Sequence, residues 1–139
     1  MSDYPYILLS DSLKSAARRS GNEWGWRPET IPLVIDEAEE LGLVNIGGQL
    51  QFLLPNATCE CYWIDVNALI QEPLGLDWMQ RVAYSAQTAR VQMEENFHYD
   101  FIAEGRKAFR EPLAAYEATG GDLSDCIWFI WYLKANPKA

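Results

Sequence analysis

The sequence predicts an α+β fold: a mostly α-helical single domain carrying a small antiparallel β-meander at about residues 43–64. Three observations predict it. Apolar residues recur at helical spacing over 29–41 and again over 78–97. Between them, residues 43–64 alternate around turn-forming residues in the manner of paired strands. No repeat, low-complexity tract or linker-like stretch divides the 139 residues, a length that fits one domain with its own core.

The elements follow in order. Residues near Ser10 to Ser20 can form a short helix with Leu13, Ala16 and Ala17 inward and Lys14, Arg18 and Arg19 outward, and Trp24-Gly25-Trp26 then interrupts it. A second helix spans Glu29 to Leu41, with prolines confined to its first turn and Gly42 as its stop. Ile31, Val34, Ile35, Ala38 and Leu41 gather on one side, whereas Glu29, Asp36 and Glu40 lie opposite, with Glu37 close by and Leu33 set among the acids.

In the meander, Gly47-Gly48 reads as a two-residue turn, because primed turns need a positive φ that glycine adopts without steric cost. That register puts Leu43, Leu50, Phe52, Leu54, Cys59, Cys61 and Trp63 on one face, apolar except at Asn45. The other face holds Val44, Ile46, Gln49, Gln51, Leu53, Glu60, Tyr62 and Ile64. It is too mixed for a core and too apolar for an ordinary solvent face, which suits partial cover by another element or contact with a partner. From Asp77, a plausible N-cap, Trp78, Val82, Ala86, Ala89, Met93 and Phe97 mark a long helix. Another helical stretch runs from about Asp100 to Thr119, bent near Pro112 and ended by Gly120-Gly121. Residues 126–133 fit either state. Their aromatic content suits a strand, but Trp128, Trp131 and Tyr132 at i, i+3 and i+4 favour a helix.

Charge is the most informative feature. From Pro28 to Gln80, 53 residues contain no Lys or Arg but nine carboxylates: Glu29, Asp36, Glu37, Glu39, Glu40, Glu60, Asp65, Glu72 and Asp77. The eleven acids elsewhere are balanced by eleven Lys and Arg, so the formal charge of −9 resides in this span. Such a field repels nucleic acid and anionic lipid and attracts basic surfaces. No basic leader precedes an apolar stretch, and the longest apolar run, Cys126 to Leu133, is far short of the roughly 20 residues of a membrane span. Three cysteines, an odd number, fit reduced thiols. A cytoplasmic location is expected.

Enzymatic chemistry has few footholds. The single histidine, His98, allows one His-dependent triad at most, and its setting, Phe97-His98-Tyr99-Asp100, suits a hydrogen-bonded surface or cap residue. Cys59-x-Cys61 would need His98 and Cys126 to complete a zinc site from three separate segments, and the strand register turns both thiols into the core instead. No Walker loop, dinucleotide fingerprint, zinc-protease helix or EF-hand occurs, so no cofactor and no metal is expected. A carboxylate site built from Glu60, Asp65 and Glu72 is the remaining enzymatic option, against which stands a simple solvated acidic face.

Two resemblances bear on function. Ala38-Glu39-Glu40-Leu41-Gly42-Leu43-Val44 followed by Gly47-Gly48 looks like the helix-then-wing portion of a winged-helix domain. In that fold the helix would present Asp36, Glu37, Glu39 and Glu40 to phosphates, which suits a protein contact and not DNA. In size, charge and aromatic content the chain resembles the immunity proteins that bacteria make against polymorphic or contact-dependent toxins. That resemblance implies a protein that binds a basic toxin domain and blocks its active or substrate-docking surface, with charge steering the encounter. The residues expected to bind such a partner are Glu29, Leu33, Asp36, Glu37, Glu40, Glu60 and Tyr62. An acidic adaptor domain is the alternative.

Duplex and single-stranded oligonucleotides titrated at low salt should show no saturable binding. Saturable binding that weakens steeply with salt would contradict the charge reading.

Overall fold

The computed structural model describes residues 3–138. It contains five strands, β1 (Arg18–Ser20), β2 (Glu23–Trp26), β3 (Val44–Leu53), β4 (Thr58–Asn67) and β5 (Ile127–Lys134), joined in one antiparallel sheet of order β1-β2-β5-β3-β4. Five α-helices accompany it: α1 (Asp11–Ala16), α2 (Ile31–Glu40), α3 (Trp78–Asn96), α4 (Phe101–Ala108) and α5 (Arg110–Ala118). The fold is α+β, but the expectation of a mostly helical domain with a small meander at 43–64 is wrong. Helix, 3-10 turns included, makes up 46%, and the sheet is a major layer that reaches both ends of the chain.

The correction has identifiable causes. Residues 127–134 form a strand between β2 and β3, not a helix. Ile127, Phe129, Trp131 and Leu133 are buried on one face, while Trp128, Ile130 and Tyr132 occupy the other. A central strand that is apolar on both faces satisfies a helical spacing by coincidence, and its β-branched and aromatic content decides the outcome. Trp24-Gly25-Trp26 is likewise the body of β2, with both indoles buried beside Tyr6.

Gly47-Gly48 is not a turn. Both residues lie inside β3, which passes unbroken between β4 and β5. A Cβ on Gly48 would stand 1.6 Å from the Ile130 carbonyl oxygen, and one on Gly47 would stand 2.0 Å from that of Val66. Gly47 also has φ +129°. Glycine here permits backbone approach at two bulges, where the β3–β5 register shifts between Asn45 and Gly47 and the β3–β4 register between Gln49 and Leu50. With no Gly-Gly hairpin after α2, the winged-helix likeness fails as well.

The second bulge also reverses a face assignment. Leu50 pairs with Cys61 but Gln49 pairs with Asp65, so Tyr62, Trp63 and Ile64 have no opposite residues. Cys59 and Cys61 point inward before the bulge, Ile64 and Val66 after it, and Trp63 is left half-buried.

All five helices cover one face of the sheet. Ile31, Val34, Ile35 and Ala38 of α2, Ala86, Ala89 and Met93 of α3, and Leu113 of α5 share one core with Leu50, Phe52, Phe129 and Trp131. Leu13 of α1 joins it, and its carbonyl accepts the Trp26 indole N–H at 2.8 Å. Gly105 lets α4 approach closely enough that a Cβ would stand 2.5 Å from the Phe52 ring. Leu41, expected inward, is 43% exposed. Asp77 caps α3 through a full capping box with Gln80. The α4–α5 break falls at Phe109, three residues before Pro112, because a proline has no N–H to give and its ring collides with the carbonyl four residues back. Among the described residues no helix is long and apolar enough to cross a membrane.

Gly48→Ala should destabilise the domain by at least ~3 kcal/mol in urea unfolding, because β3 and β5 must separate to admit the methyl group. A change below ~1 kcal/mol would mean that this register is not the one in solution.

Candidate interaction surface

Helix α2 presents its polar side to α1 on one flank and to α3 on the other. Leu33, Asp36, Glu37 and Glu40 line a groove of about 380 Å³ together with Ser10, Ser12 and Leu13. Four of the seven residues expected to bind a partner are therefore brought together.

They are not equivalent. Asp36 accepts from Arg90 of α3 at 2.9 Å, and the same guanidinium reaches Glu39 at 2.5 Å. Glu37 accepts the Ser10 backbone N–H at 3.2 Å on each carboxylate oxygen, which fastens the start of α1 to α2. Arg90 is held charged by its hydrogen bond to Glu39 first of all, and by Asp36. Glu40 has no cation or hydrogen-bond partner among the described residues, and Leu33 beside it is 60% exposed. The acidic span is thus partly neutralised by arginines that follow it in sequence, with Arg81 taking Glu72 at 2.6 Å.

The other three residues lie elsewhere. Glu29, in the 3-10 turn before α2, lines a separate groove with Arg27, Phe97 and Phe101. Glu60 and Tyr62 project from β4 on the face of the sheet that carries no helices, and Tyr62 is 71% exposed. Glu60 and Tyr62 therefore lie on the opposite side of the sheet from the α1–α2 groove, so one flat partner cannot cover both. Glu60, Asp65 and Glu72 are likewise not gathered, since Glu72 is engaged by Arg81 and Glu60 faces away.

A cleft of about 500 Å³ beside the β4 bulge was not anticipated. It collects Trp63, Asp65, Gln92, Glu95, Asn96, His98 and Tyr99 from β4, α3 and the turn after α3. Its amides are already engaged. Gln92 accepts the Asn67 N–H at 2.7 Å and donates to the Asn67 carbonyl at 3.0 Å, while Asn96 donates to the Asp65 carbonyl at 2.7 Å. Trp63 donates its indole N–H to Glu104 at 2.9 Å. Only the buried polar Asn96 at an inward helical position could have signalled this cleft, because no residue pattern announces the bulge.

The face of the sheet without helices carries a different anomaly. Gln51 is 1% exposed and its side-chain Nε2 meets no acceptor among the described residues, nor does Nε1 of Trp128, its cross-strand neighbour. Buried donors left without an acceptor cost about 1–3 kcal/mol each.

The thiols belong to the core. Cys59, Cys61 and Cys126 are free and buried. Among the described residues no group of three or more His, Cys, Asp or Glu side chains is placed to hold a metal ion. Burial pushes the Cys61 thiol up from 9.0 to about 12, with Cys59 and Glu104 adding to the shift. A raised value makes the neutral thiol a stabiliser that is fully effective below pH 9 and is lost as pH climbs toward 12. Between pH 9 and 10.5 the wild type should lose about 2 kcal/mol more than Cys61→Val, measured by urea unfolding at each pH. Equal losses would show that Cys61 does not titrate in this way.

Compared with protein-family models, curated proteins and solved structures, the chain gives no match.

Proposed function

We propose that this domain is an immunity protein that binds a basic toxin domain in the cytoplasm and covers its active or substrate-binding surface. The observation that carries the reading is the α1–α2 groove, where Leu33 stands 60% exposed beside Glu40, a carboxylate with no cation among the described residues. An apolar side chain ringed by acids supplies the two things a basic partner needs. The apolar group excludes water at the centre of the contact and sets residence time, and the surrounding charge raises the encounter rate. The net charge of −9 supports steering over a distance of about a Debye length. Glu29 extends the negative field along α2, and Glu37 gives the groove a fixed wall through its bonds to Ser10. Glu60 and Tyr62 lie outside this footprint.

The test pairs the chain with the product of the gene transcribed beside it, scored by survival on co-expression and by binding kinetics. Leu33→Ala should speed dissociation about tenfold, and Glu40→Lys with Glu29→Lys should slow association several-fold and flatten its salt dependence. Tyr62→Ala should leave both rates unchanged. If the helix changes alter neither rate in a folded protein, or if the neighbouring gene product is not toxic, the reading fails.

A further inference from the structure

The helix-free face of the sheet holds a cluster of hydrogen-bond donors, two of which have no acceptor among the described residues. Cross-strand partners share a face, so Arg18, Gly25, Ile130 and Gln49 form one row, and Trp128, Gln51 and Glu60 form the next. Over the Trp128 ring lie two guanidinium groups, Arg27 at 3.9 Å and Arg18 at 5.8 Å from its centre. One nitrogen of Arg27 donates to the carbonyls of Ser124, Asp125 and Ile127 at 2.9–3.2 Å. Neither arginine makes an ion pair among the described residues, and Arg18 is exposed. Beneath them are the unpartnered Nε2 of Gln51 and Nε1 of Trp128. Two cations and two neutral donors therefore meet on one patch, in a protein whose net charge is −9.

We propose that this patch receives one carboxylate side chain from an acidic segment of a protein partner. A carboxylate is an acceptor only, with two oxygens that can take two adjacent N–H groups while guanidinium charge balances it. Arg18, exposed and the more distant of the two guanidinium groups, is the one that gives way in this proposal. Its release from the ring opens the way to the indole and amide hydrogens, which do not reach solvent in the closed arrangement. Glu60, across from Gln51, bounds the site on the β4 side and limits it to a single carboxylate. A phosphodiester chain brings many charges into the field of the acidic span, which disfavours it. The site lies away from the α1–α2 groove and does not depend on the toxin reading.

The experiment uses the ¹⁵N-labelled full chain, with the Trp128 indole N–H resonance assigned by its loss in Trp128→Phe. Blocked peptides (Gly-Glu)₃, (Gly-Gln)₃ and (Gly-Lys)₃ and a twelve-nucleotide thymidine strand are titrated in turn. The glutamate peptide should shift that resonance and slow its solvent exchange at least about tenfold, and Arg18→Ala should weaken binding at least about fivefold. Gln51→Leu should weaken binding by a similar factor while raising the Tm of the free protein by about 3 °C, because it removes an unpartnered donor. An unmoved indole resonance, an equal response to the glutamine or lysine peptide, tighter binding of the oligonucleotide, or a lower Tm for Gln51→Leu would each overturn the proposal.

Discussion

Asn45 is the one polar group on which the arrangement of sheet and helices depends. It is fully buried, and three of its hydrogen bonds each join a different element. Its backbone N–H donates to Ser85 of α3 at 3.0 Å, its side-chain amide donates to the Ile35 carbonyl of α2 at 3.4 Å, and its oxygen accepts the Trp131 indole of β5 at 2.9 Å. Ser85 in turn donates to the Val82 carbonyl of the same helix, so its hydroxyl is satisfied in both roles. Hydrophobic burial brings two helices onto a sheet without choosing their depth or rotation. A buried amide with three obligatory partners does choose, because any slip strands polar groups away from water. The β3 bulge next to Asn45 accommodates this strand to both β5 and the helices.

From that node the fold spreads in both directions. Trp131 carries it to the N-terminal segment, since its carbonyl accepts the Tyr6 hydroxyl at 2.9 Å and Tyr6 stacks on Trp24. Ends of the chain that are 125 residues apart are thereby locked to one strand. Trp26 and Phe129 extend this line of packed rings.

Legibility followed locality. Helices α2 and α3 were readable because their apolar stripes, the Asp77 cap and the Gly42 stop are written within a few residues of one another. Asn45 was visible as the lone polar residue on an apolar face. Strands β2 and β5 were not, because a strand buried on both faces has no period of its own and is defined by neighbours distant in sequence. The Gly47-Gly48 pair misled for a related reason. Glycine marks both a turn and a place where backbones nearly touch, and only the third dimension separates the two. For the surface, the groove from Leu33 to Glu40 was readable from one helix. The positions of Glu60 and Tyr62 depended on which face the helices chose, and the pairing of Asp36 with Arg90 joined residues 54 apart.

The side-chain amide of Gln92 accepts from the Asn67 N–H and donates to the Asn67 carbonyl, the same pair of bonds that a further strand would make along the free side of β4. Asn96 occupies the Asp65 carbonyl one step along. At the opposite border, β1 is only three residues long and carries two arginines. The sheet is therefore guarded against strand exchange at the Asp65–Asn67 end of β4 by side chains that stand in for a strand, and at β1 by brevity and charge. The backbone groups that would otherwise template a neighbouring strand at this end of β4 are thus taken up by side chains, and Gln92 alone supplies two of those three bonds.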